Sequence, residues 1–253
     1  MSTSAKVTAR QRIENLLDDN SFVEIGAYVK ARNTDFNIQA KDTPSDGVIT
    51  GYGVINGGLV YVYSQDASVL GGSVGEMHAK KIASLYDMAM KTGSPVIGLI
   101  DSTGLRLQES VDGLNAFGQI YMKQSLASGV IPTITAIFGN CGGGLSIVAG
   151  LSDFTFMEVE NAQLFVNSPN AITENRKEIC DNASAKFQSE EAGNVDFVGT
   201  EAEVIEGIRN LVSVLPSNNE DEASDLECYD DLNRGARFLY SACSSSRARS
   251  GSS

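Results

Sequence analysis

Two glycine-rich turns hold the residues of this sequence that could do chemistry. The first is Asp101-Ser-Thr-Gly-Leu-Arg106, at the end of the apolar run Val96–Ile100. The second is Gly139-Asn-Cys-Gly-Gly-Gly144, at the end of Ile131–Phe138. A turn after a strand gathers backbone N–H groups, and glycine lets a ligand approach them and permits positive φ. N–H groups at the start of a helix have no acceptor inside it and feel the positive end of its dipole. Such donors can hold an enolate or a thioester oxyanion without any catalytic side chain. A third glycine-rich stretch, Leu70-Gly-Gly-Ser-Val-Gly75, precedes a helix that opens with the basic patch His78-Ala-Lys-Lys81. Lys80, Lys81 and Arg106 could therefore meet the phosphates of a ligand like coenzyme A.

Other chemistries fit less well. Either turn taken alone also reads as ordinary punctuation between strand and helix. Neither is a P-loop, because no Gly-Lys-Ser/Thr follows, and the GxGxxG dinucleotide spacing is absent. A serine nucleophile at Ser102 or Ser146 would need a histidine base. His78 is the one histidine, and it sits beside two lysines on a helix. Glu109 as a catalytic carboxylate lacks a second acid after the Cys141 turn and reads as a solvated loop charge. Cys141, Cys180, Cys228 and Cys243 form no CxxC pair, which argues against zinc.

The elements that must position these turns are legible in outline. Thr8 and Gln11 fit a capping box, with Ile13, Leu16 and Leu17 on one helical face. Phe22–Val29 reads as extended and Asn33–Pro44 as loop. Two strands, 47–55 and 59–63, meet at Asn56-Gly57, the strongest short hairpin signal. A helix bearing Ile82, Leu85, Tyr86 and Ala89 stops at Gly93. Strand 96–100, its turn and a helix with Phe117, Ile120 and Tyr121 follow, and strand 131–138 leads to the second turn and a short helix, 145–149. Phe154–Phe156 and Gln163–Val166 are short strands. Thr200 and Glu203 cap a last helix carrying Val204, Ile208, Leu211 and Val212. This order predicts an α/β fold with parallel strands and right-handed crossovers. Two architectures fit: an open doubly wound sheet, or a stacked spiral of β-β-α units. The hairpin favours the spiral.

The 253 residues, 42% of them hydrophobic, suffice for a sizeable core. A net charge of -13, much of it in Glu220–Asp231, argues against nucleic acid or anionic membrane as partner. No apolar signal core and no run of membrane-spanning length is present. Scattered cysteines fit a reducing compartment. These features together predict a cytoplasmic soluble protein with no membrane span.

Taken together, the segments resemble the N-terminal half of the biotin-dependent acyl-CoA carboxyltransferases, which include the propionyl-CoA, methylcrotonyl-CoA and glutaconyl-CoA enzymes. The likeness runs from Thr8-Ala-Arg-Gln-Arg-Ile13 to Leu215-Pro-Ser-Asn-Asn219. Its most specific pieces are Asp46–Gly57, Leu70–Ile82 with its Gly-Glu-Met-His-Ala-Lys-Lys run, Ala127-Ser-Gly-Val-Ile-Pro132 and Asp153-Phe-Thr-Phe-Met157. The resemblance implies a crotonase-type (ClpP/crotonase) spiral and an acyl-CoA substrate, with the enolate held by backbone amides. It implies one oxyanion hole at Thr103 and Gly104, a second at Gly142 and Gly143 in the Cys141 turn, and a coenzyme A contact through Gly71, Gly72 and Ser73. No metal is implied. Biotin would arrive on a separate biotinyl carrier protein. Ala89-Met-Lys-Thr92 has the look of a biotinyl attachment sequence but lacks its last methionine, and reads as coincidence.

Three departures from the family pattern stand out. Thr103 replaces a usual glycine, and a β-branched residue restricts the turn. After Pro169 the pattern fades, and 175–185 lacks the usual Glu-Leu-Gly-Gly-Ala. The family's full enzyme has a second, homologous domain. The expectation is a domain over 1–235, a polar tail over 236–253, and the other half of the site on a homologous C-terminal-type subunit within an oligomer. The direction of the reaction, carboxylation or decarboxylation, stays open. So does a degenerate, non-catalytic scaffold subunit, and so does a crotonase hydrolase or isomerase acting alone.

Overall fold

A computed structural model describes residues 7–32, 42–168 and 181–218. The expected boundary at 235, the tail 236–253, Cys180, Cys228, Cys243, 33–41 and 175–180 lie outside the described residues. Within them run α1 (Ala9–Leu16), β1 (Val23–Ile25), β2 (Val48–Ile55), β3 (Gly58–Gln65), α2 (Glu76–Thr92), β4 (Val96–Ser102) and α3 (Ser110–Ala127). β5 (Thr133–Gly142), α4 (Gly144–Gly150), β6 (Phe154–Glu158), β7 (Gln163–Phe165), α5 (Ala185–Glu190), β8 (Phe197–Gly199) and α6 (Glu201–Val214) follow.

Both predicted capping boxes form, Thr8 with Gln11 and Thr200 with Glu203. The hairpin between β2 and β3 turns on Asn56 and Gly57, both at positive φ, as a two-residue turn matched to strand twist requires. Beyond it, β3, β4, β5, β6 and β8 pair in parallel, each added to the same side of the sheet. A doubly wound sheet reverses strand order at a switch point. No reversal occurs among the described strands, so the spiral reading holds. β6 pairs with Ile134–Ile137 of β5, whereas β7 pairs with Asn140–Gly142 further along the same strand. That second pairing carries the chain around the end of β5.

Side chains of the central strands alternate between two apolar layers. Val96 and Ile100 of β4 pack with Leu85, Tyr86 and Ile120 of α2 and α3. Ile97 and Leu99 pack with Ile13 and Leu16 of α1 and with Ile208 of α6. The sheet is thus covered on both faces, which explains why its strands read as continuous apolar runs.

The structure differs from the sequence reading in three places. β5 was expected to end at Phe138 but runs to Gly142. Gly139 is not punctuation there: a Cβ would collide with the Asp101 carboxylate, so the glycine marks a close approach of two strands. Of the extended segment 22–29, only Val23–Ile25 pairs as a strand. α5 and β8 carry too short an apolar pattern to be seen in the sequence. No described helix is long and apolar enough to cross a membrane.

Candidate active site

Because β4 and β5 run parallel, their turns emerge at the same end of the sheet. Their register holds from Val96↔Thr133 to Ile100↔Ile137, then slips so that Ser102 faces Cys141. The slip draws the two glycine turns together. Gly104, at φ +96°, lies so near the second turn that a Cβ on it would sit 3.4 Å from the Gly142 carbonyl oxygen. The third glycine stretch closes on the first. A Cβ at Gly72 would lie 2.5 Å from the Asp101 carbonyl, and one at Gly71 would touch the Thr103 side chain at 3.0 Å.

Hydrogen bonds stitch these turns. The Ser102 hydroxyl donates to the Gly72 carbonyl at 2.6 Å and accepts the Gly104 N–H at 3.1 Å. Val74 N–H donates to the Gly104 carbonyl at 2.8 Å, and Arg106 N–H to the Val74 carbonyl at 3.0 Å. Gly71, Gly72, Thr103, Gly104 and Gly142, predicted separately as site residues, therefore belong to one junction.

The donors at that junction differ from those expected. The Thr103 N–H donates to the Gly71 carbonyl at 2.9 Å, and the Gly143 N–H to the Phe165 carbonyl at 3.0 Å. Both amides fasten the turns and do not point at a ligand, so their expected oxyanion role is corrected to a supporting one. Thr103 itself is exposed, while Gly104 is buried. The Gly104 N–H is held only by the Ser102 hydroxyl in this geometry. Gly143, at φ +60° and ψ −125°, reverses the chain into α4 with open space where a Cβ would stand. The next amides, of Gly144 and Leu145, open that helix and have no acceptor within it. Tyr121 steadies this turn by donating its hydroxyl to the Gly144 carbonyl at 2.7 Å.

The cations expected at coenzyme A phosphates are mostly committed inside the protein. Arg106 is 3% exposed. Its Nη1 meets Asp46 Oδ1 at 2.6 Å and Glu109 Oε1 at 2.8 Å. Nη2 donates to the Ser73 carbonyl at 2.7 Å, and Nε to Ser73 Oγ at 3.3 Å. Lys81 is buried, donating to the carbonyls of Ser45 (3.0 Å) and Val48, and burial pulls its amine down to about 8. Neither side chain can reach a ligand phosphate without unfolding this network, so both assignments are corrected. Ser73 likewise serves Arg106. Lys80 alone of the three cations faces solvent, beside Glu76 at 2.7 Å. Glu109, read as a solvated charge, is buried: its Oε2 accepts the Glu76 N–H at 2.6 Å, and Asp46 Oδ2 accepts the His78 N–H at 2.7 Å. Two carboxylates from distant segments thereby cap the N-terminus of α2, where negative charge is favoured.

His78 is fully buried, and its ring is spent. Nδ1 lies 3.0 Å from the Asp46 carbonyl, so it carries the proton, and Nε2 accepts from the Gln65 side-chain amide at 3.1 Å. Burial first, then the Arg106 charge, drives its pKa down to about 3. It has no nitrogen left for a serine, and the triad reading falls.

A model described as the carboxyl transferase domain matches residues 2–248. The chain belongs to the carboxyl transferase domain family. Among similar proteins, methylmalonyl-CoA decarboxylase subunit alpha of Propionigenium modestum is 44% identical, over 91% of this chain and 45% of its own length. The propionyl-CoA carboxylase beta chain of Roseobacter denitrificans is 41% identical, over 90% of this chain and 46% of its own. The solved structure of transcarboxylase 12S with hydrolyzed methylmalonyl-coenzyme A bound superposes with a TM-score of 0.83 at 36% identity, covering 92% of this chain and 46% of that one. The fold is the crotonase-type spiral of these carboxyltransferases. The chain spans less than half the length of these relatives.

Two supports of this junction carry no signal in the sequence. Asp46 sits in the left-handed region at φ 50°, next to Ser45 at φ 53°, and burial raises its carboxyl above the usual range despite Arg106. Arg12 of α1 is buried beneath the first turn, with Nη1 3.3 Å from Asp101, Nε 2.8 Å from Glu201, and the guanidinium 4.7 Å from the Phe138 ring centroid. No sequence signal separates such buried ions from surface charges. Ser102, a nucleophile candidate by residue type, instead uses its hydroxyl to join two turns. Cys141, beneath the second turn, is a buried free thiol pushed up to about 12 by burial. No cluster of three or more His, Cys, Asp or Glu residues arranged for a metal occurs among the described residues.

Proposed function

We propose that this chain is the acyl-CoA-binding half of a biotin-dependent carboxyltransferase, acting on short acyl-CoA thioesters of the propionyl or methylmalonyl kind. The observation that carries the reading is the junction itself: Gly104 against Gly142, with the Gly71–Ser73 loop locked beneath Thr103. The glycine cradle, with open space at Gly143, fits a thioester carbonyl lying across both turns. The Gly104 N–H exchanges Ser102 Oγ for the thioester oxygen, and the amides that open α4 hold the charge that develops beside it. Fixed dipoles of this kind stabilise an enolate without a proton-transferring side chain, which suits a site whose histidine is buried and neutral. Biotin, carried by another protein, would supply the carboxyl group as carboxybiotin or receive it as free biotin. This chain's own work is to bind the thioester, orient its α-carbon and hold the enolate charge. Lys80 is the cation left at the surface for a coenzyme A phosphate. The remaining wall of the site comes from a second crotonase-type subunit, and the free Cys141 thiol fits a cytoplasmic setting.

The test is calorimetric titration of the chain with propionyl-CoA and methylmalonyl-CoA, for the wild type and Gly104→Ala. Alanine at φ +96° strains the turn and places a methyl beside the Gly142 carbonyl. Binding is expected for the wild type and at least tenfold weaker for Gly104→Ala with unchanged circular dichroism. Equal affinity in the two would remove the thioester from this junction. No binding by the wild type, alone or with a partner subunit, would favour the scaffold reading. Hydrolysis of the thioester by the chain alone would favour an ordinary crotonase enzyme.

A further inference from the structure

Most residues of the junction offer a ligand no side chain. Gly71, Gly72, Gly104, Gly142 and Gly143 have none. The Ser73 hydroxyl accepts from Arg106 Nε at 3.3 Å, and the Ser102 hydroxyl bridges the Gly72 carbonyl and the Gly104 N–H. The Cys141 thiol is buried in the core. Thr103 is different. Its side chain is exposed, and its hydroxyl makes no hydrogen bond among the described residues.

The place of that hydroxyl is fixed by the backbone around it. The Thr103 N–H is pinned to the Gly71 carbonyl at 2.9 Å. The side chain then stands over Gly71, so that a Cβ built on this glycine would lie 3.0 Å from both Cγ2 and Oγ1 of Thr103. The branched fork takes the space that a side chain at position 71 would need. The Gly104 N–H turns the same way. It meets Ser102 Oγ, which itself reaches the Gly72 carbonyl. The Thr103 hydroxyl and the N–H of the next residue therefore both look towards the 71–72 loop. Two donors on consecutive residues suit two oxygens of one small ligand.

We infer that the Thr103 hydroxyl is a specificity-determining donor for the free carboxylate of a 2-carboxyacyl-CoA, such as a malonyl or methylmalonyl thioester. The inference rests on the proposed placement of the thioester oxygen at the Gly104 N–H. A carboxylate on the α-carbon then lies one carbon away from that carbonyl, within reach of the donor one residue earlier. An acyl thioester without this carboxylate leaves the Thr103 hydroxyl to water. Arg106 and Lys81 are tied to internal acceptors, so neither competes for the carboxylate. A hydrogen bond to a charged acceptor is stronger than one to a neutral group. This half of the site thereby favours the carboxylated member of each acyl-CoA pair.

Calorimetric titration of the full chain with methylmalonyl-CoA and propionyl-CoA tests this, for the wild type, Thr103→Val and Thr103→Ser. Valine keeps the β-branch and the N–H bonded to Gly71 and removes only the hydroxyl. Serine keeps the hydroxyl and removes the methyl. The wild type is expected to bind methylmalonyl-CoA about tenfold more tightly than propionyl-CoA, the size of one hydrogen bond to a charged group. Thr103→Val is expected to abolish that preference and Thr103→Ser to retain it. A preference missing from the wild type, or one that survives valine, overturns the inference and leaves the Gly104 placement standing. A wild type that binds neither thioester overturns the inference together with the carboxyltransferase reading beneath it.

Discussion

At the scale of single residues, the site is kept in shape by charges that never meet solvent. Arg106 joins Asp46, Glu109 and Ser73, so the 45–48 turn, the 70–75 glycine loop and the start of α3 share one guanidinium. Its planar fork suits several acceptors at once, which a lysine could not serve. His78 sits inside this cluster as a neutral ring, and that has a consequence for acid stability. Its folded pKa, about 3, lies below the ordinary 6.5, so between those values the unfolded chain binds the proton and the folded one does not. Stability is therefore present above pH 6.5 and lost as pH falls towards 3, by on the order of 5 kcal/mol for this one group. Asp46 works in the opposite sense, because its raised carboxyl favours the folded state as pH falls. Urea unfolding midpoints across pH 7 to 4 are expected to drop less steeply for His78→Gln than for the wild type. Parallel slopes would mean that the ring carries no such penalty.

At the scale of elements, the junction depends on how β4 ends. Its last residues are gripped from three sides: Gly139 of β5 beside Asp101, Gly72 beneath Ser102, and Arg12 of α1. Arg12 also reaches Glu201 at the start of α6, so the helices on one face of the sheet tie directly to the strand end that forms the site. Removing a buried cation strands its carboxylates and costs about 3–5 kcal/mol, against about 0–1 kcal/mol for an exposed pair. Arg12→Ala should lower the unfolding free energy, read from urea titration, by an amount in the first range and loosen acyl-CoA binding with it. A loss below 1 kcal/mol would place Arg12 among ordinary surface charges. The capping boxes, the hairpin and the apolar faces were all legible in the sequence, because each is a local pattern. The grip on β4 was not, because Arg12, Asp101, Gly139 and Glu201 lie far apart along the chain.

At the scale of the whole molecule, the fold brings three glycine stretches together with, among the described residues, no histidine free for proton transfer at their meeting point. The relatives it matches are about twice its length. A chain of this kind should bind acyl-CoA by itself yet transfer no carboxyl group from free carboxybiotin until a second crotonase-type subunit is added. Radiolabelled carboxyl transfer, assayed with and without that subunit, checks this. Full activity from the chain alone would show that the site is complete without it.

What the sequence determined by itself was the order of elements, their faces and the three glycine stretches that could carry chemistry, because spacing and turn residues act over a few positions. It also carried the likeness to the carboxyltransferases. Tertiary structure decided which amides remain available and which charges are buried. Thr103 and Gly143 were expected as donors, yet their N–H groups meet carbonyls of Gly71 and Phe165 across the fold. Lys81 and Arg106 were expected at phosphates, yet they face acceptors near residues 45–48. A hydrogen-bond donor is spent or free only according to what the rest of the chain brings beside it, and no local pattern records that.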